Sequence, residues 1–265
     1  MNVLSLFDGI SVARYALDLA HIEIKNYYAS EIEKNAISIS KKNYPTIVRF
    51  GSVIDLCANM IPEPIDLLIG GSPCQDLSIA NLKRKGLEGE RSGLFWEFVR
   101  IMNEVKPKYF ILENVASMPQ KDKDIITGIM GCEPILFNAS LVSAQCRKRL
   151  FWTNIKFELP IDKGIILKDI LQPPAQVDER MVNKDKKAYT LTARYTAAVL
   201  HNSIERKQRT MVKDINNIRK LLPIECERLQ SLPDNYTEGV AITNRYKCLG
   251  NAFNAEVIAH ILKGI

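Results

Sequence analysis

The chain has 265 residues, 46% of them hydrophobic and 25% charged, and a formal net charge of +6. That composition suits a globular α/β protein with one large domain and a small appendage, and no apolar run reaches the roughly 20 residues that a membrane span requires. The positive balance favours a polyanionic partner without establishing one.

In chain order, Asn2 to Phe7 reads as a strand, Ile10 to Ala20 as a helix, Ile24 to Ser30 as a second strand and Glu31 to Asn43 as a second helix. The opening stretch lacks the basic leader and cleavage site of a signal peptide, so an intracellular protein is expected. Thr46 to Arg49 is a short third strand. Ile65 to Ile69 and Tyr109 to Leu112 are apolar enough for buried central strands, and a helix over Ser92 to Val105 fits between them, stopping before Pro107. Ile135 to Ala139 and Leu150 to Ile155 read as two further strands. Strands alternating with helices predict a doubly wound, mostly parallel sheet, whose ligands gather at the carboxyl ends of its strands.

Periodicity breaks after Phe157, where Pro160, Pro173 and Pro174 punctuate the chain. The polar stretch 178–213 carries Lys184, Lys186, Lys187, Arg194, Arg206, Lys207 and Arg209, and reads as a small second domain or an extended loop system. Helical periodicity returns near Ile218 and over Ala252 to Leu262. The six cysteines (Cys57, Cys74, Cys132, Cys146, Cys226, Cys248) show no C-x-x-C spacing and are expected as reduced thiols. His21, His201 and His260 sit near no cysteine pair, so no metal site is expected.

Several strand ends carry residues fit for chemistry. The first ends in Phe7-Asp8-Gly9-Ile10-Ser11, where a glycine lets backbone approach a ligand or merely makes a turn. It is not the G-x-G-x-x-G of a nicotinamide enzyme. The second ends in Glu31, which can accept from two ribose hydroxyls or cap a helix start. After Ile69 comes Gly70-Gly71-Ser72-Pro73-Cys74-Gln75-Asp76-Leu77-Ser78. A thiol there is placed for nucleophilic work, although burial as a structural cysteine fits the pattern equally. Tyr109 to Leu112 runs into Glu113-Asn114-Val115, and Gln145-Cys146-Arg147-Lys148-Arg149 opens a later strand with two guanidinium groups on one side.

Together these segments resemble the DNA cytosine-5 methyltransferases. FDGIS, the glutamate of ASEIE, GSV at 51–53, GGSPCQDLS, ENV, QCRKR, IECERLQSLP and GNAF occur in that family's order over nearly the whole chain. SPC-x-DLS, KGLEGERSGLFWEF and FDGI followed by a small residue also resemble the catalytic domains of the animal de novo methyltransferases. The resemblance implies a Rossmann-like catalytic domain over 1–157, a small target-recognition region over 158–216, and a return to the catalytic domain over 217–265.

It further implies that Cys74 adds to carbon 6 of a flipped cytosine while Glu113 holds a proton on ring nitrogen 3. Arg147 and Arg149, with Gln145 of the same motif, orient the base. S-adenosylmethionine is the implied cofactor, leaving as S-adenosylhomocysteine. Its expected contacts are Phe7, Asp8, Gly9, Ile10, Ser11, Glu31, Ile32, Ser52, Val53, Pro73, Leu94, Asn251, Ala252 and Phe253. Ser78, Lys83, Arg84 and Lys85, on a basic glycine-containing stretch, and Arg194, Arg206 and Arg209 are the candidate contacts to double-stranded DNA.

Two departures stand out. Ser11 falls where many members have a second glycine, and Gly51-Ser52-Val53 replaces the usual Gly-Asp-Val, leaving the adenine contact to Ser52 or Asp55. The same chemistry on transfer RNA is the nearest alternative, disfavoured by SPCQ and the lack of a Cys-Phe-Thr signature. An inactive DNA-binding homologue is the other, disfavoured by the presence of Cys74, Glu113 and Arg147. A monomer acting on DNA in a prokaryotic or phage-infected cell is expected, compatible with a separately acting restriction endonuclease.

Overall fold

A strand that is apolar on both faces must be covered from both sides, and the first half of the chain is built on this rule. In the computed structural model, which describes residues 1–72 and 94–265, β1 (Asn2–Leu6) is buried along its whole length. It pairs in parallel with β2 (Asn26–Ser30) on one side and β4 (Leu67–Gly71) on the other. Outward from these lie β3 (Val48–Gly51), parallel to β2, and β5 (Tyr109–Val115), parallel to β4. Beyond β5, β7 (Lys148–Thr153) and β6 (Ile135–Asn138) complete a seven-stranded sheet ordered β3-β2-β1-β4-β5-β7-β6 among the described residues. Only β7 runs against its neighbours, so the sheet is mostly parallel and doubly wound, as its pattern predicts. The order reverses between β1 and β4, which is where such sheets open a crevice.

Helices cover both faces. On one side α1 (Val12–Leu19) turns Ala13, Ala16 and Leu17 inward and packs against α8 (Ala255–Leu262), whose Val257, Ile258 and Ile261 join Val3, Leu67, Ile69 and Phe151. On the other, α3 (Leu94–Val105) presents Phe95, Phe98 and Ile101 to Leu4, Leu68, Leu112 and Trp152. A further helix on this face, α4 (Gln120–Met130), escapes sequence reading because its first turns are almost entirely polar; it buries Ile126 and Met130 and stops at Gly131, whose φ is 67°.

A third apolar cluster joins α2 (Lys34–Asn43) to the irregular stretch after β7. Ile10, Val12 and Ile39 pack there with Leu167, Met181, Ala188, Leu191, Tyr195 and Val212. Regular structure in the stretch is sparse: α5 (Leu200–Ile204), then a hairpin of β8 (Met211–Asp214) and β9 (Asn217–Lys220). The helix expected near Ile218 is therefore corrected. Ile218 lies in β9, where Asn217 and Arg219 flank it in alternation, and α6 (Pro223–Leu229) begins only at Pro223, with Glu225 Oε2 accepting from Leu222 N at 2.7 Å. The helix expected from Ala252 is split: α7 (Ile242–Asn251) ends at Asn251, and Asn254 caps α8 by accepting from Val257 N at 3.1 Å. No helix among the described residues is long and apolar enough to cross a membrane.

Two carboxylates of α6 are fully buried. Glu225 takes both guanidinium arms of Arg219 at 2.8 Å and the backbone N–H of Gln172 at 2.9 Å. Glu227 accepts from Asn235 N, Thr237 N and Arg245 Nη2 at 2.7–2.8 Å, and from the Thr237 hydroxyl. Removing one partner of such a buried ion pair strands the other. Glu227→Ala is expected to lower stability by about 3–5 kcal/mol, read as a shift of the urea unfolding midpoint.

Candidate active site

The crevice at the strand ends is shaped first by close approach. A Cβ on Gly70 would lie 2.9 Å from Leu6 O, and one on Gly71 would lie 2.9 Å from both Glu113 Oε2 and Phe253 Cε1. The double glycine is therefore the room into which β5 and the segment after α7 lean. Gly71 is in register with Glu113, and Arg149 with Val115, so three strands bring these residues to one end of the sheet. There Arg149 Nε donates to Glu113 Oε1 at 2.7 Å, with both side chains largely buried. Asn114, buried beside them, donates to Ser72 Oγ at 3.1 Å and so ties β5 to the end of β4.

The loop after β1 is unusual in its backbone. Phe7, Gly9 and Ser11 all have φ near 60°. Gly9 N donates to Glu31 Oε2 at 2.8 Å, while Glu31 Oε1 accepts from the N–H groups of Ile32 and Glu33 at 2.8 Å. Three backbone donors thus fix the carboxylate of Glu31 at the end of β2. From the opposite side Tyr236 OH donates to Ile10 O at 2.7 Å.

One cleft collects most of the residues singled out from sequence. Phe7, Asp8, Gly9, Ile10, Glu31, Ile32, Leu94, Asn251, Ala252 and Phe253 line it, together with Glu113, Arg147 and Arg149. Ser11, Ser52 and Val53 stand outside its wall. Ser11 is buried behind the loop, and Ser52 Oγ accepts from Ile54 N at 3.2 Å in a turn after β3. Pro73, Cys74, Ser78, Lys83, Arg84 and Lys85 lie outside the described residues. Of the remaining basic candidates, Arg194 and Arg206 are exposed, and Arg209 is half-buried with Nη1 donating to Ala197 O at 3.2 Å.

Gln145 and Arg147 do work that their motif does not announce. Gln145 is fully buried away from the cleft, donating to Leu229 O at 2.6 Å and to Gln230 Oε1 at 2.9 Å, while its own Oε1 accepts from Leu191 N at 3.3 Å. Arg147 donates to the carbonyls of Leu191 and Ala252, each at 2.8 Å, and of Gly250 at 3.3 Å. Gly250 is obligatory here: a Cβ would fall 2.1 Å from Thr192 C and 2.2 Å from Ala193 N.

Glu33, Ala36, Lys247 and Cys248 also line the cleft and escape sequence reading. Lys247 and Cys248 precede Asn251 by four and three residues on α7, the spacing that puts helix residues on one face, so the GNAF motif carried that signal. Burial and the nearby Glu33 carboxylate push the Cys248 thiol up to about 12.

The cleft wall offers three features that a nucleoside-bearing ligand could use. Glu31 offers a fixed carboxylate for a ribose diol, Ile32 an apolar side chain 70% exposed for an adenine face, and the Gly9 turn a close backbone approach for the amino-acid portion. Among the described residues no group of His, Cys, Asp and Glu could hold a metal ion.

The family model of the C-5 cytosine-specific DNA methylases matches residues 1–192 and 161–265. The chain is 33% identical over 213 residues to the orphan methyltransferase M.SPRI of Bacillus phage SPR, covering 74% of this chain but 47% of that protein. It is 25% identical to the type II methyltransferase M.HhaI of Haemophilus parahaemolyticus, covering 100% of this chain and 94% of the relative. The solved structure of the Entamoeba histolytica methyltransferase EhMeth shares the fold, with a TM-score of 0.76 at 18% identity over 100% of this chain and 97% of that one.

The two site glycines are expected to respond differently to a methyl group. Gly250→Ala meets rigid backbone and should cost at least about 1–3 kcal/mol in urea unfolding. Gly71→Ala meets side-chain atoms that can shift, so its cost in urea unfolding should be smaller than that of Gly250→Ala. The displaced Glu113 should nonetheless lower turnover about 100-fold, the scale of a 1 Å misplacement.

Proposed function

We propose that this chain, which belongs to the C-5 cytosine-specific DNA methylase family, transfers a methyl group from S-adenosylmethionine to carbon 5 of cytosine in duplex DNA. The observation that carries this is the Glu113–Arg149 pair, set at 2.7 Å on the wall of a cleft that also presents Glu31 and the Gly9 turn. An acid and a guanidinium side by side can address the ring nitrogen and ring carbonyl of one cytosine, next to a site for a methyl donor.

Carbon 5 of cytosine is a poor nucleophile. In this reading the Cys74 thiolate adds to carbon 6 and leaves an enamine-like ring. Glu113 holds a proton on ring nitrogen 3, which stabilises the negative charge pushed into the ring, and Arg149 orients the carbonyl edge. Arg147 contributes by fixing the Leu191 and Ala252 carbonyls around the cleft. When bound, the cofactor supplies an electrophilic methyl on its sulfonium. Glu31 and Ile32 hold the nucleoside end, and Asn251 to Phe253 close the amino-acid end. Loss of the carbon 5 proton to a base then lets the Cys74–carbon 6 bond break.

A stacked base cannot reach such a cleft, so the target cytosine is flipped out, at a cost of a few kcal/mol. The exposed Arg194 and Arg206, with the basic 83–85 run, are the proposed phosphate and base contacts.

Base-resolution sequencing of 5-methylcytosine in plasmid DNA, from cells expressing the wild type or Cys74→Ser, tests the activity. One short motif methylated only by the wild type is the expected result. Unmethylated plasmid with methylated transfer RNA would reassign the substrate, and methylation by Cys74→Ser would remove the mechanism. Binding to duplex DNA should weaken steeply with salt, log K falling by about 0.9 per phosphate contact for each unit of log salt; a flat dependence would contradict phosphate contact.

A further inference from the structure

Part of what holds Ser11 in place lies outside the cleft. Ser11 is fully buried with φ of 62°, a backbone conformation that favours glycine. Its Oγ donates to Asp8 Oδ2 at 2.5 Å and lies 2.6 Å from Ser40 Oγ on α2. Arg49 of β3 donates through Nη2 to Ser40 Oγ at 2.7 Å and to Tyr44 O at 3.0 Å, and through Nη1 to Ile47 O at 2.8 Å. Tyr27 OH donates to Asp8 Oδ1 at 2.8 Å.

A guanidinium only donates, and each hydroxyl has one proton. The direction of the chain follows: Arg49 to Ser40, Ser40 to Ser11, Ser11 to the Asp8 carboxylate. Two serine hydroxyls thus connect a cation beyond α2 to an acid on the cleft wall. Burial pushes the Asp8 carboxyl up, the Ser11 and Tyr27 hydrogen bonds pull it back, and Glu31 adds a smaller upward push. Broken at Ser40, the chain would leave Ser11 in a left-handed backbone with Asp8 but not Ser40 as a side-chain partner, two residues from the Gly9 N–H that bonds Glu31.

We infer that Ser40 and Arg49 are positioning residues for the cofactor, acting through Ser11 and Asp8 to hold the Phe7–Ser11 loop in its binding conformation. Neither residue lines the cleft. The inference rests on the reading of that cleft as the S-adenosylmethionine site.

Calorimetric binding of S-adenosylhomocysteine tests it without turnover. Ser40→Ala and Arg49→Met are expected to weaken binding about tenfold, the effect of losing one charge-assisted hydrogen bond. Ser40→Thr keeps a hydroxyl and should bind like the wild type. Ser11→Gly needs no brace for its backbone, so Ser11→Gly/Ser40→Ala should bind as tightly as Ser11→Gly alone. In turnover, Ser40→Ala should raise KM for the cofactor and leave kcat and KM for DNA unchanged.

Binding by Ser40→Ala equal to the wild type, or a double variant as much weaker than Ser11→Gly as Ser40→Ala is than the wild type, overturns the relay. Should Ser40→Ala fail to fold, Arg49→Met takes its place in the same cycle, with the same two outcomes. A wild-type protein that does not bind S-adenosylhomocysteine overturns both the relay and the reading beneath it; wild-type binding with an unchanged Ser40→Ala overturns the relay alone.

Discussion

The buried amide of Gln145 meets the amide of Gln230, and the geometry of the cleft depends on that contact. Gln145 opens the segment leading into β7, and its partner follows α6. Gln230 in turn donates to Leu249 O at 2.7 Å and accepts, through its backbone carbonyl, from Ala255 N at 2.9 Å. Arg147, two residues on, clamps Leu191 and Ala252. Four stretches, around residues 145–147, 191, 229–230 and 249–255, are therefore locked together by these side chains. In a low-dielectric interior a half-satisfied network of this kind would be worse than an apolar one, so its members stand or fall together.

That lock explains why the cleft has two kinds of wall. The β1, β2, β4 and β5 ends belong to the sheet and are fixed by its ladders. Asn251 to Phe253 belong to no sheet and are held through Arg147, Gln230 and the close fit of Gly250 against Thr192 and Ala193, a stretch that lies behind this wall. The second wall joins the cleft to the Thr190–Arg194 stretch, which carries the exposed Arg194. Arg147 bonds to both Leu191 and Ala252, so the first arginine of the motif ties segments together while the second, Arg149, pairs with Glu113.

The sheet and its flanking helices were legible because their signal is local: apolar runs for central strands, 3.6-residue periodicity for α1 and α3. The elements that escaped, α4, α7 and the β8–β9 hairpin, are short or polar and owe their form to what they pack against. Cleft residues were legible where a strand end or a motif marked them, as with Glu31, Glu113 and Phe253. Their division of labour was not. Gln145 and Arg149 look alike as parts of one motif, yet one is buried behind the site and the other faces it. Only the partners brought from Leu229, Gln230 and Leu191 decide that, and sequence spacing contains no information about them. Ser11 stood out as a departure from glycine, but its brace at Ser40 and Arg49 comes from two other elements.

The packing of α8 on α1 has a consequence for how the protein is made. Ala13, Ala16 and Leu17 are covered by Val257, Ile258 and Ile261, some 240 residues later. During synthesis, at about 5–20 residues per second, that apolar face of α1 waits for tens of seconds before its cover emerges. Contacts so distant in sequence also slow the search for the native topology. Until α8 emerges, the inner face of α1 is an uncovered apolar surface, and the fold cannot close on that side of the sheet.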